Sequence, residues 1–506
     1  MTTIALLTWP LITLVLVLTM PFPKAAMISI LGGFFLLPPD VGINLPVLPT
    51  LSKDSVPALS LLVLAVLFAG RRRQQAGQGN GTGFDHELPQ WLPLYGWVTI
   101  GLFLVGFGAF LTALVNGDRI SYGSTVLPGM RPYDGLAQAL TALTMLVPLF
   151  LGRRFFAHPD NQALLIKAFI IGGLIYSLPT LYEVRMSPQL NRQVYGFYSS
   201  GWVQNIRGGG WRPSVFTDHG LQLAMFFAMV SLAAFGAARF LRREDRGFYI
   251  FAGVWCLGTL WLSNSLGALI IAVVFLPVVL FLGARLQLLF AAMMAAAVLL
   301  YPVLRSTDIV PAERLVSIAQ AIHPGRAVSL QFRLAQEDIL LEHAEERPLL
   351  GWGGWRRNRV FNEEGQDIST TDGAWIITFG RSGWVGYVGL FGLLTMPVVL
   401  LAITRRRDQI SPTTVVVAVT AAASFVDLIP NGFLSPITLL MAGAIWGRLE
   451  LGEQTETDQQ QGATSTDRRL GPARPAPRPA LAGQGNGAAV GYTRQKVRHD
   501  RVKEPS

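Results

Sequence analysis

The chain is a succession of apolar runs long enough to cross a bilayer, interrupted by short polar breaks and one long polar stretch. A helix needs roughly 20 predominantly apolar residues to span the hydrocarbon. On that criterion spans are predicted near 3–20, 25–38, 55–70, 91–115, 135–151, 163–183, 216–238, 248–263, 266–283, 286–304, 382–403, 412–428 and 433–447. The expected fold is therefore all-α, a polytopic integral membrane protein of about 12–13 transmembrane helices. Pro21 and Pro23 make the first two spans a broken or tilted pair. A content of 51% hydrophobic against 14% charged residues excludes an ordinary soluble enzyme.

The net charge of +10 could suggest nucleic acid, but the basic residues fall where membrane topology would put them. Arg71 to Arg73, Arg153 and Arg154, Arg239 with Arg242 and Arg243, Arg285 and Arg405 to Arg407 occupy alternate short loops. The positive-inside rule makes those loops cytoplasmic and leaves 116–134, 184–215 and 305–381 outside. No basic region precedes the first apolar run, which is read as a retained span. Cys256 is the only cysteine, so an internal disulfide and a thiolate metal site are both excluded.

Two segments resemble linkers. Residues 71–90 carry Gln, Gly and Asn in a flexible cytoplasmic connection. From Glu450 the chain turns to Gln, Thr, Pro, Ala and mixed charge, too polar to offset its ordering entropy, so 1–449 is read as the transmembrane domain and 450–506 as a disordered cytoplasmic tail.

The polar stretch from Arg305 to about Trp375 is the place for chemistry, because a chain that only passes solutes needs no such loop. It carries Arg347-Pro-Leu-Leu-Gly-Trp-Gly-Gly-Trp355, then Thr370-Thr-Asp-Gly-Ala-Trp375, and leads into Gly380-Arg-Ser-Gly-Trp-Val-Gly386. Residues 327–346 read as an amphipathic helix, with Arg333 and Glu337 an i,i+4 pair that would ordinarily be solvated. Trp352 and Trp355 suit either the headgroup zone or the apolar faces of sugar rings. The outside loop 184–215 has Arg185, Arg192, Arg207 and Arg212 and no acid, against the topological trend. Its Arg207-Gly-Gly-Gly-Trp-Arg212 run leads into a helix and suits either a diphosphate or lipid headgroups. That helix opens Val215-Phe-Thr-Asp-His-Gly, where Thr217 or Asp218 is an N-cap, or Asp218 and His219 face a site.

The order of these elements over roughly 200–400 resembles the O-antigen ligase and Wzy-type polysaccharide polymerase superfamily of bacterial membrane glycosyltransferases. The likeness lies in Arg212-Pro-Ser-Val-Phe-Thr-Asp-His-Gly-Leu, Leu262-Ser-Asn-Ser-Leu-Gly, Phe332-Arg-Leu-Ala-Gln-Glu, the Pro-Leu-Leu-Gly-Trp-Gly element and the polar motif before a Gly-rich span. Two positions depart from the pattern: Ser263-Asn-Ser replaces the common Ser-Arg-Gly, and Asp372 stands where ligases carry His. The resemblance implies a metal-independent, cofactor-free transfer of an oligosaccharide from undecaprenyl diphosphate to a sugar hydroxyl at the outer face of the bacterial inner membrane. In that reading Asp372 is the general base with His219 the second choice, and Arg212 stabilises the leaving diphosphate. Arg207, Arg192, Arg333, Asp218, Trp352 and Trp355 bind substrate. The implied partners are the lipid-linked oligosaccharide, membrane lipid, and flippase and chain-length regulator proteins, with no nucleic acid.

Polymerisation of repeat units into exopolysaccharide or O-antigen is the leading expectation. Ligation of a finished glycan to lipid A core is the same-class alternative, and a polysaccharide or lipid transporter or flippase the alternative of another class. A transporter is expected to show internal repeats and charges at mid-bilayer. For the topology, Glu363→Cys in a Cys256→Ala background should react with an impermeant maleimide added to intact cells, while Arg72→Cys should not. Labelling of the second alone would invert the orientation.

Overall fold

The computed structural model describes residues 1–44, 49–68, 96–199, 205–207, 209–241, 243–307, 309, 311–322, 324–403 and 410–469, apart from the side chains of Arg207, of several residues in 312–326 and of 453–469. The expected linker 71–90 and the tail beyond 469 lie outside the described residues. The chain divides into a unit Met1–Thr455, which holds everything discussed below, and a second, Glu456–Ser506.

The structure is mostly helical, with few strands. In chain order the helices are α1 (Thr2–Thr19), α2 (Phe22–Leu36), α3 (Val56–Leu67), α4 (Gly96–Val115), α5 (Pro132–Met145), α6 (Val147–Phe155), α7 (Pro159–Met186), α8 (Leu190–Tyr195), α9 (Gly220–Phe240), α10 (Arg246–Leu262), α11 (Leu266–Phe281), α12 (Ala284–Ser306), α13 (Ala312–Ile322), α14 (Pro324–Glu345), α15 (Ala374–Ile403), α16 (Pro412–Asp427) and α17 (Pro436–Arg469). Among the described residues three two-stranded antiparallel hairpins join them: β1–β2 (Gly42–Ile43, Leu51–Ser52), β3–β4 (Ile120–Tyr122, Thr125–Leu127) and β5–β6 (Ile206–Arg207, Gly210–Trp211).

Among the described residues, seven helical stretches are long and apolar enough to cross a membrane: α1, α4, α5 with α6, α7, α9, α12 and α15. The protein is thus a helical, polytopic membrane protein. Several other predicted spans fold into helices of 12 to 16 residues, namely α2, α3, α11 and α16. Burial explains why a short helix suffices in one of these cases. α16 is buried on nearly every side, so protein surrounds it and its length need not match the hydrocarbon. α9 is likewise buried at every position from Gln222 to Ala238, which places it at the centre of the bundle, packed by α7, α10, α11 and α16.

The side chains sort the connecting segments onto two faces. On one face Lys53 Nζ donates to Phe216 O at 2.9 Å, Glu183 accepts from the Ser214 and Val215 amides, Arg347 pairs with Asp118 at 3.3 Å, and Arg333 reaches Pro430 O. On the other, Arg153 pairs with Glu450 at 2.9 Å, Lys167 with Asp245 at 3.6 Å, and Arg239 donates to Leu282 O. The arginine-rich loops at 153–154 and 239–246 share the second face and the long polar segment belongs to the first, while Arg71 to Arg73, Arg242 and Arg405 to Arg407 lie outside the described residues. Glu450, expected to open a disordered tail, is instead fully buried against Arg153. Two fully buried charges are tolerable only as a pair, and this one locks α6 to α17. The same helices touch backbone to backbone: a Cβ added at Gly443 would lie 1.9 Å from Leu149 O, and one at Gly447 2.1 Å from Arg153 O.

The element that organises the first face is a break in α15. Gly383 sits at φ +57°, ψ −160°, a conformation open only to glycine, and interrupts the helix. An unbroken helix would pair Gly380 O with Trp384 N–H and Arg381 O with Val385 N–H. Here Trp352 and Gly353 donate to those two carbonyls at 2.9 and 2.8 Å, and Trp384 and Val385 donate to Pro348 O and Leu349 O at 2.7 and 3.1 Å. Four freed groups find four partners in one segment. This predicts that Gly383→Ala, whose Cβ would meet Leu349 backbone at 2.4 Å, is destabilised by at least about 1–3 kcal/mol. Gly392→Ala in the same helix, with open space around it, should be neutral or gain roughly 0.5–1 kcal/mol. Thermal unfolding of the two purified variants in detergent separates them.

Candidate functional site

The break turns Arg381 toward a cavity of about 530 Å³ walled by α4, α5, α15 and the Gly353–Trp355 turn, with Leu428, Gly432 and Leu434 of the α16–α17 connection completing it. That volume is in the range of small-molecule sites, roughly 300–1,000 Å³. Polar groups from Gln138, Thr141, Thr378 and Ser382 share the walls with Arg381. Trp355, 56% exposed and held at φ +56°, stands on the rim.

The α16–α17 connection gathers three of the residues singled out by sequence. Arg333 of α14 lies 3.4 Å from the Asp372 carboxylate and donates to Pro430 O at 3.1 Å. The imidazole of His219 stacks on Phe433, at a centroid distance of 5.4 Å. Gly373 lets the Asp372 turn approach so closely that a Cβ there would lie 2.0 Å from Ile429 O. Asp372 is not itself on the cavity wall, but Ala374 and Gly432, which flank it, are. Nor does it cap α15. The first amides of that helix, on Ala374 and Trp375, donate to Asn431 O and Leu428 O at 3.1 and 3.4 Å, so the side chain of Asp372 is left for Arg333.

The expected solvated pair between Arg333 and Glu337 does not form, because α14 turns the two side chains to different partners. Glu337 faces inward, where Trp375 Nε1 donates to it at 3.3 Å and Arg305 lies 3.9 Å away. Burial pushes its carboxyl up to about 7, and the Trp375 hydrogen bond and the Arg305 charge offset only part of that.

Other candidates are engaged elsewhere. Arg212 is 5% exposed; its Nη2 donates to Asn264 O at 3.3 Å and Asn264 returns a bond to Trp211 O at 3.2 Å. The segments at 211–212 and 263–265 thus brace each other, with Arg212 buried between them. Arg192 is bound to Tyr198 Oη at 2.8 Å within its own segment, and the Arg207 side chain lies outside the described residues. Asp218 pairs with buried Lys53 at 3.6 Å. Neither it nor Thr217 caps α9; His219 does, its Nδ1 accepting from Leu221 N–H at 3.1 Å. Trp352, expected to offer a face to sugar, is only 6% exposed: His343 stacks on it at 4.3 Å and the Arg347 guanidinium lies over it at 4.2 Å.

Two elements of this site have no role assigned from the sequence: Arg381, within the Gly380–Gly386 run, and the Pro430-Asn-Gly-Phe433 turn. A charge one residue past the first turns of a span was the available signal for the first. The turn carries no signal beyond Pro-Asn-Gly, which marks a bend and not what the bend touches. No family model matches the chain, and no curated protein is significantly similar to it.

The Glu337 environment predicts a pH signature. A carboxyl raised from 4.5 to about 7 in the folded protein contributes stability that is complete below about 4.5 and declines as pH rises to 7. The span corresponds to roughly 3 kcal/mol at most. Glu337→Gln should remove this slope, so that the variant gains on wild type between pH 5 and 8 in thermal melts. Parallel melting curves would contradict it.

Proposed function

We propose that the protein is a metal-independent membrane glycosyltransferase that polymerises undecaprenyl-diphosphate-linked repeat units into exopolysaccharide or O-antigen, on the periplasmic side of the bacterial inner membrane. The observation that carries this reading is the meeting of Asp372 and Arg333, from separate parts of the polar segment, beside a cavity bounded by a broken span. Both side chains are partly exposed, so a substrate can reach them. The alternation of helix ends between two faces supports the reading of 12–13 crossings, and the placing of the arginine-rich loops supports the long segment being outside.

In this mechanism the Asp372 carboxylate accepts the proton of an acceptor sugar hydroxyl as its oxygen bonds to the donor's anomeric carbon. The bond from that carbon to the diphosphate oxygen breaks, the electron pair leaves with the diphosphate, and the Arg333 guanidinium stabilises the charge that develops there. Arg212 holds the 211–220 segment against the turn at 263–265, and His219 seats the α16–α17 connection through Phe433. Asp372 in place of the ligases' His favours polymerisation over ligation. One observation favours transport instead, since a span broken at a charged cavity is a common transporter device.

Asp372→Asn preserves the shape and a contact to Arg333 but cannot take the proton. It should fold with a melting temperature near wild type and lose about 10²–10⁴ in polymer formation from purified lipid-linked repeat units. Wild-type turnover by Asp372→Asn, with loss in His219→Ala, would move the base to His219. Substrate flux across proteoliposomes without new glycosidic bonds would establish transport.

A further inference from the structure

The cavity beside α15 is graded from polar to apolar along two helices at once. On α15 the lining residues run from Thr378, Arg381 and Ser382 to Leu390, Phe391 and Leu394. On α5 they run the same way, from Gln138 and Thr141 to Ala142 and Met145, while Val105 and Ala109 of α4 close the apolar part. With a rise of 1.5 Å per residue, the α15 lining residues beyond the break, from Gly386 to Leu394, span about 12 Å. Ala374 and Ile377 also line it before Arg381, so the charge lies about a third of the way along the α15 wall, with the longer apolar stretch leading away from it toward Leu394.

Arg381 is the charge. Among the described residues its guanidinium has no hydrogen-bond or ion-pair partner, and the charge it feels most is the like charge of Arg359. The acid on the walls, Asp134, is already used: its Oδ2 accepts from the Arg131 amide at 2.8 Å and caps α5. Its charge on the opposite wall would steer an anion toward Arg381. The Arg381 side chain is exposed, so its guanidinium is open to whatever anion enters the cavity beside the apolar wall.

We propose that this cavity holds a single-chain lipid phosphate, its phosphate oxygens on Arg381 and its chain between α5 and α15. A guanidinium suits phosphate because its fork donates two parallel hydrogen bonds. A single chain suits the space because the apolar walls continue along one line from the charge. As the lipid end of a glycosyl donor, the assignment rests on the transferase reading; as a binding site it is measured without turnover, so the two can fail separately.

The test uses the full-length protein in phosphatidylcholine nanodiscs and labelled farnesyl diphosphate as probe. Saturable binding is expected, weakened about 10- to 100-fold in Arg381→Gln and less in Arg381→Lys. Leu390→Trp, which fills the apolar end, should weaken it as well. Farnesol, the chain without charge, and inorganic diphosphate, the charge without chain, should each compete at least tenfold worse than the unlabelled probe. The melting temperature of Arg381→Gln without ligand should equal or exceed that of wild type, which a structural role for Arg381 would not allow. Undiminished probe binding by Arg381→Gln overturns the proposal. Equal competition by inorganic diphosphate would make the site a plain anion site, and equal competition by phosphatidylglycerol a seat for bulk lipid; either also overturns it. Binding as expected with no glycosyl transfer by wild type would leave this site standing and remove the transferase reading. Transfer with unaltered probe binding in Arg381→Gln would do the reverse.

Discussion

Backbone hydrogen bonding at the interruption of α15 is the constraint on which the functional face depends. In a membrane-embedded bundle an unsatisfied N–H or C=O costs several kcal/mol, so a span cannot break unless protein supplies the missing partners. Here they come from one segment, Pro348 to Gly353, which exchanges four bonds with residues 380–385. The exchange needs glycine on both sides: Gly383 takes the turn, and a Cβ at Gly351 would fall 2.6 Å from Ser382 N. The polar segment is thereby fastened to the helix that follows it. Arg347, at the start of the fastening, ties it further to α4 through Asn116 and Asp118. Asn116 in turn donates to Gly351 O at 2.9 Å.

The rest of the bundle supplies rigidity to this device. α9 and α16 are enclosed on all sides, and α6 meets α17 at van der Waals contact of their backbones, held by the Arg153–Glu450 pair. Small residues there permit close helix approach, which in an apolar solvent is the main source of helix association. The connection leaving α16 is therefore anchored on one side by the core. On the other it accepts Arg333, the first amides of α15 and the ring of His219. A shift of that short turn would be felt by Asp372, by Arg333 and by the cavity wall together.

What could be read in advance follows from which interactions are local. Spans, and the sorting of arginines between alternate loops, are properties of short windows, and the mostly helical membrane fold was legible from them. The amphipathic helix over 327–346 was legible too, as α14, but not the partner of each of its faces. Arg333 and Glu337 look paired at i,i+4 until α12 and the Asp372 turn offer each a different neighbour across more than 30 residues of sequence. Trp352 was misjudged for a similar reason. An aromatic next to glycines on a polar segment has the composition of a sugar platform, and only the fold shows His343 and Arg347 already against it. Arg212 and the Ser263-Asn-Ser265 turn were each noticed, yet nothing local says that they brace one another.

Two arginines within the helical stretches show how differently the chain treats charge. Arg153 is wholly buried and answered by Glu450, with a second nitrogen, Nε, 2.9 Å from the same carboxylate. Such a pair contributes little net stability but fixes which helices meet, because neither charge tolerates the loss of the other. Arg381 receives no such answer from the described residues, although the fold goes to the length of breaking a span beside it. A chain that can place a glutamate against Arg153 across about 300 residues could have placed one against Arg381. That guanidinium is left open in a cavity whose walls turn apolar along two helices, an arrangement that suits an anion with an apolar body.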